Sequence, residues 1–168
     1  MKRYLTSILV VLILASGLAV GCGTKTSPSE RDKAVTFYRE LYPICNELNQ
    51  DVNEWNSWLT QASALEYAQN LFSKSKYYGT HLQMLYGEVA ALNPPPGLQD
   101  LKDKTLAAMS KGIETYAMAQ EYALNKQQSY GLKVESLHLE FNKLMSLAAD
   151  EWDNGLAHYN INPQEIAK

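Results

Sequence analysis

Between residues 38 and 59 apolar side chains recur at spacings that alternate three and four: Tyr38, Leu41, Cys45, Leu48, Val52, Trp55 and Leu59. That spacing puts one stripe along one face of a helix, the pattern of a bundle seam. Three further stretches carry stripes of the same kind. The second runs through Leu65, Ala68, Phe72, Ser75, Gly79, Leu82, Tyr86, Val89 and Leu92. The third holds Leu101, Thr105, Ala108, Gly112, Tyr116, Ala119 and Ala123, and the fourth Val134, Leu137, Phe141, Leu144, Ala148, Trp152, Gly155 and Tyr159. No alternating apolar run of useful length and no hairpin signal competes with them.

The punctuation between stripes is equally specific. Ser27-Pro28-Ser29-Glu30 combines an N-cap, a proline at the first helical position and a glutamate three residues after the cap, which predicts the start of helix 1. Pro43 falls inside that helix, but the stripe keeps phase across it, so a kink is expected and not a domain break. Ser63-Ala64-Leu65-Glu66 repeats the capping box before helix 2. Asn93-Pro94-Pro95-Pro96-Gly97 cannot continue a helix, because each residue before a proline is pushed out of the α region. The boundary between helices 3 and 4, residues 126–131, carries the weakest signal. Asn162-Pro163-Gln164-Glu165 predicts one more helix start near the end of the chain.

Helices of about 28–32 residues are about 42–48 Å long at 1.5 Å per residue. Short connections make neighbours antiparallel. The expected fold is therefore all-α, an antiparallel up-down-up-down four-helix bundle over residues 30–160, with 161–168 as a C-terminal tail.

Ahead of the bundle lies a different kind of segment. Lys2 and Arg3 precede an uncharged run from Tyr4 to Gly21, 18 residues long. Basic residues, an apolar stretch and then small residues make the profile of a secretory signal. A spanning helix needs about 20 residues, so length alone leaves a retained anchor open. The run ends in Leu18-Ala19-Val20-Gly21-Cys22. This resembles the lipobox of bacterial lipoproteins, with Ala19 where the family most often carries leucine. The resemblance implies a signal peptide over 1–21, cleavage before Cys22 and a diacylglycerol on the Cys22 thiol. Residues 22–29 then form the lipidated cysteine and a polar tether reaching at most about 25 Å. The same resemblance implies attachment to the extracytoplasmic side of a membrane in the bacterial cell envelope. Two or three acyl chains hold a protein at a membrane where one would not, since each buried CH₂ contributes about 0.8 kcal/mol.

Without the leader the chain keeps 13 basic and 18 acidic residues, a net charge of −5. No basic stripe exists to neutralise phosphates, which excludes nucleic acid as a partner. An acidic domain is not drawn to an anionic leaflet either, so membrane attachment falls to the lipid. With Cys22 acylated, Cys45 is the one remaining thiol, and its place on the apolar stripe makes it a small buried hydrophobe.

Candidate chemistry is sparse. Glu135-Ser136-Leu137-His138 is one Glu-x-x-His, the motif that carboxylate-bridged metal bundles use on two helices. Its counterpart is missing: Tyr78 stands three residues before His81, and Gly155 three before His158. Glu135 and His138 therefore read as a surface pair, and His81 and His158 as solvent-facing or capping residues. No cofactor motif and no catalytic constellation emerges, so the chain reads as a non-catalytic interaction or structural module with an envelope protein as partner.

The topology sorts the aromatic residues by end. Tyr38, Tyr42, Tyr86, Trp152 and Tyr159 gather with the proline turn near the membrane, while Trp55, Trp58, Tyr122 and Tyr130 gather at the far end. Such side chains either close the ends of a bundle or face a partner. Trp58, Tyr122 and Tyr130 are the candidates for the second role. The small residues of helix 3, with Gly79 on helix 2, allow close packing or leave a ligand pocket between helices 2 and 3.

Overall fold

The computed structural model describes residues 27–167. The hydrophobic leader and Cys22 lie outside the described residues. Four long helices, α1 (Pro28–Gln61), α2 (Ala64–Ala91), α3 (Gln99–Asn125) and α4 (Gln128–Tyr159), are followed by a single turn of helix, α5 (Pro163–Ile166). A short 3₁₀ turn, Pro96–Leu98, leads into α3.

The helix starts follow from their caps. Ser27 Oγ accepts from the Glu30 backbone N–H at 3.3 Å, while the Glu30 carboxylate accepts from the Ser27 backbone N–H at 3.1 Å. The same reciprocal pair joins Ser63 and Glu66, at 3.2 and 2.9 Å. Two orphan donors of each first turn are thereby satisfied. Pro43 sits exposed within α1, which continues through it without a break. The C-caps of α3 and α4 are Lys126 (φ 56°) and Asn160 (φ 49°), both left-handed. The left-handed Lys126, whose N–H reaches Tyr122 O at 2.9 Å, ends α3 where the sequence offers neither glycine nor proline.

The helices form an antiparallel, up-down-up-down bundle. α3 is central, with α2 and α4 packed closely against it, backbone to backbone. α1 stands farther off and is joined through large aromatic side chains. At the end that holds the start of α1 and the proline turn, called proximal and its opposite distal, Tyr38 meets Trp152 edge-on at 4.7 Å and donates its hydroxyl hydrogen to Trp152 O at 2.9 Å. Toward the distal end Trp55 meets Tyr116 and Tyr78 edge-on at 5.1 and 5.8 Å. Edge-to-face pairs of this kind hold helices apart at ring width while keeping the space between them filled.

Most residues of the α1, α3 and α4 stripes are buried as the spacing predicts, and Met109, Met145 and Leu156 join them, while Cys45, Val52, Leu59, Ala123, Val134, Leu137 and Leu144 are half-buried. In α2 the expectation is partly wrong. Leu65 and Phe72 are exposed, at 66% and 39%, Ala68 is exposed, and Tyr86 lies at the surface. The buried face is instead Leu71, Ser75, Tyr78, Gly79, Leu82, Leu85 and Val89. At 100° per residue, the residues read inward from 65 to 72 trace one edge of that face and not its middle. What fixes the true orientation is contact with α1, where Tyr67 stacks on Trp58 at 5.7 Å.

The expected tail is part of the bundle. Ile161 and Ile166 are buried, and Glu165 takes an ion pair from Arg31 at 2.8 Å. Arg39 Nε donates to Glu165 O at 3.0 Å, so α5 is tied to the start of α1.

Candidate functional site

At the distal end Trp58 lies half-buried between Trp55, 5.3 Å away, and the stacked ring of Tyr67, with Lys74 Nζ 6.0 Å from its centroid. Tyr122 and Tyr130 are also half-buried. A Cβ at Gly131 would meet the Tyr122 ring at 3.4 Å, which places that ring over the first turn of α4. The three aromatic candidates thus share one end, with much of their surface already used inside the bundle. The most exposed apolar side chains of that end are others: Leu65 at 66%, Leu124 at 64% and Leu132 at 60%. Sequence reading placed Leu65 inside, and passed over Leu124 and Leu132 because they lie off the core stripes. An apolar residue off the stripe, next to a turn, was the available signal.

The seam between α2 and α3 is filled at both of its glycines. A Cβ at Gly79 would meet Tyr116 Cβ at 3.2 Å, and one at Gly112 would meet Leu82 Cδ2 at 2.6 Å and Phe141 Cε2 at 3.1 Å. The small residues of helix 3 accommodate the large ones facing them, as close-packed cores do. The room expected for a ligand there is occupied by Leu82, Tyr116 and Phe141.

Glu135 is exposed, and His138 turns half-buried against Phe141, its ring 6.4 Å away. Burial pushes the His138 imidazole below its usual range. The surface Glu–His pair is therefore replaced by a histidine with one side in the core. Cys45 packs against the core as expected, and burial pushes its thiol up to about 12.

The largest departure from the sequence reading is His81, which is neither free in solvent nor a cap. Its Nδ1 lies 2.6 Å from Asp51 Oδ2, and its Nε2 lies 3.4 Å from Glu47 Oε2. Beside this bridge the Tyr78 hydroxyl donates to Glu54 Oε2 at 3.3 Å. Glu47, Asp51 and Glu54 recur at i, i+4 and i+7 along one edge of α1, and no lysine or arginine occurs between Arg39 and Lys74. That acidic edge was the signal. Asp51 is only 7% exposed. Its carboxyl is raised above the usual range by burial, with the His81 hydrogen bond opposing and the charges of Glu54 and Glu47 adding to the rise. Burial, then the nearby Glu54 carboxylate, pushes the Tyr78 hydroxyl up to about 12.

The chemistry of this cluster is limited by its geometry. The two carboxylates meet the imidazole at different nitrogens, so they do not converge with it on one point where a cation would sit. Among the described residues no group of three or more His, Cys, Asp or Glu side chains is arranged to hold a metal ion. A general base needs one ring nitrogen facing a nucleophile, and here the second nitrogen faces Glu47. The cluster is a hydrogen-bonded clasp between α1 and α2. No protein family, curated protein or solved structure matches this chain.

Proposed function

We propose that this chain is a bacterial lipoprotein of the cell envelope: a non-catalytic helical bundle, tethered through acylated Cys22, that presents its distal end to another envelope protein. The observation that carries the reading is the run from Lys2 to Cys22, with its basic start, apolar middle and Leu18-Ala19-Val20-Gly21-Cys22 ending. The capping box at Ser27 supports it. Four residues separate Cys22 from Ser27, a reach of at most about 18 Å, so a lipid on Cys22 would hold the start of α1 close to the bilayer. The distal turns then lie the length of the bundle away, about 45 Å. The exposed Leu65, Leu124 and Leu132 at that end support a protein-binding role, since apolar side chains that the bundle leaves in water are what a partner would cover.

The test is the intact mass and membrane partitioning of the chain expressed with its own leader, beside Cys22→Ser. An acyl mass increment and membrane partitioning in the wild type, both lost in the variant, are expected. Both chains membrane-bound at full length would mean a retained anchor. Both released as cleaved, unmodified protein would remove the lipid from the reading.

A further inference from the structure

Polar groups tie α1 to the rest of the chain at two separate places. Its start is held to α5 by the bonds that Arg31 and Arg39 make to Glu165. Its middle is held to α2 by His81 against Glu47 and Asp51, and by the Tyr78 hydroxyl on Glu54. Pro43 lies between the two ties. It supplies no N–H to the Arg39 carbonyl, so α1 bends most easily there. The half of α1 beyond Pro43 is seated by Leu48 and Trp55, with Trp58 half-buried near its end.

The clasp on that half depends on how many protons it holds. At 2.6 Å, one proton lies between His81 Nδ1 and Asp51 Oδ2. The other ring nitrogen, Nε2, stands 3.4 Å from Glu47 Oε2. A neutral ring turns a lone pair toward that carboxylate, whereas a ring with a second proton donates to it. The surrounding groups offer Glu47 no other donor. They are Asp51 and Glu54 from α1, Tyr77 and Tyr78 from α2, and Tyr116 from α3, which lies in the field of Asp51. Gln50 and Tyr78 both donate to Glu54. Lys76 shares the outward side of α2 with His81 and forms no ion pair among the described residues.

We propose that this clasp is a proton-operated latch on the distal half of α1, closing it on α2 when the His81 ring takes a second proton and releasing the segment beyond Pro43 when that proton is lost. Imidazoles change charge between about pH 5 and 8, so release grows as pH rises across that range. Asp51 acts in the same direction. Burial holds its carboxyl above the ordinary range, and a proton kept there is likewise lost as pH rises. The released segment carries Trp58, whose stack on Tyr67 lies two residues along α2 from exposed Leu65. Control of the distal surface by the latch rests on the reading of that end as partner-binding; the latch itself does not.

Hydrogen exchange read by mass spectrometry tests the latch with no partner present. The full-length Cys22→Ser chain in a mild nonionic detergent is labelled at steps from about pH 5 to 8, with rates corrected for the intrinsic pH dependence of amide exchange. Segment 47–61 should lose protection roughly tenfold or more as pH rises, while 31–41 and the α3 segment 102–123 keep theirs. Glu47→Gln sets an amide N–H opposite Nε2, which satisfies the neutral ring, so this variant should stay protected throughout. His81→Gln keeps one bond to Asp51 and should give a flat profile at lower protection. Three results would each overturn the proposal: a profile of 47–61 parallel to that of α3, an equal loss in 31–41, or a pH slope that persists in Glu47→Gln.

Discussion

A Cβ added at Gly155 would meet Tyr38 Oη and, at 2.5 Å, Leu98 Cδ2. The Tyr38 hydroxyl cannot retreat without giving up its hydrogen bond to Trp152 O. Overpacking of this kind costs about 1–3 kcal/mol and outweighs the ~1 kcal/mol that alanine adds to a helix over glycine. Gly155→Ala is therefore expected to lower the urea midpoint. Gly87→Ala meets no neighbour, so in dilute protein it should stabilise the fold by about 0.5–1 kcal/mol. Opposite shifts for the same chemical change would separate a packing glycine from an unpacked one. Asp51 gives a pH signature at the same scale. Its folded carboxyl holds a proton to a higher pH than the ordinary 3.8, because burial disfavours the charge. Its contribution to stability is fully present below 3.8 and is lost as pH rises through the raised folded value. Asp51→Asn keeps an oxygen acceptor for His81 and removes the titration. Melting temperatures measured from pH 3 to pH 7 should show the wild type losing stability relative to Asp51→Asn in the window just above 3.8. Parallel curves would mean that Asp51 is solvated in the folded chain.

Single elements differ in how much of them could be read in advance, and the reason is where their charges lie. In α1 and α3 the polar residues interrupt every other face, leaving one apolar stripe, and residues such as Leu41, Trp55, Thr105 and Ala108 are buried where spacing places them. In α2 apolar residues occur all around, so Leu65 and Phe72 compete with Leu71 and Tyr78 for the inward face. Only the tertiary partners, Trp58 on Tyr67 and Trp55 on Tyr78, decide between them. Of the clasp of His81 on Asp51 only the acidic edge of α1 was legible, because its halves lie 30 residues apart and meet through the relative height of two helices. The starts at Ser27, Ser63 and Asn162 were legible because a capping box is local chemistry, whereas α3 and α4 begin without one. At Pro43 the phase of the stripe already indicated no break, and α1 runs on through it. Proline there leaves the Arg39 carbonyl without its usual donor, and the residue is exposed. Pro43→Ala should then stabilise α1 by about 1–3 kcal/mol, raising the melting temperature by several degrees. A fall instead would show that a bend at Pro43 is needed to seat Tyr38 and Trp55 together on the bundle.

For the whole molecule the two ends differ in construction. The proximal end is closed by α5, with Ile161 and Ile166 buried and Glu165 held by Arg31 and Arg39. Among the described residues the distal end has no such closing element, and Leu65, Leu124 and Leu132 stand out from its two turns. Side chains this exposed contribute little to folding, and substitutions at such places ordinarily change stability by less than about 0.5 kcal/mol. Leu124→Lys with Leu132→Lys should therefore leave melting and helicity near those of the parent. In cells expressing the chain with its own leader and a photocrosslinking residue at Leu65, the parent should give one discrete adduct, and the double variant should lose it. The same photocrosslinking residue at exposed Leu147, on α4 beyond Phe141 toward the proximal end, should give no such adduct. A lysine pair placed where an apolar partner surface must desolvate it is strongly unfavourable, so a true contact cannot survive the change. An adduct that persists in the folded double variant would move the partner away from the distal end. Its next place would be the acidic edge of α1, where Glu47 and Glu54 face outward beside the clasp.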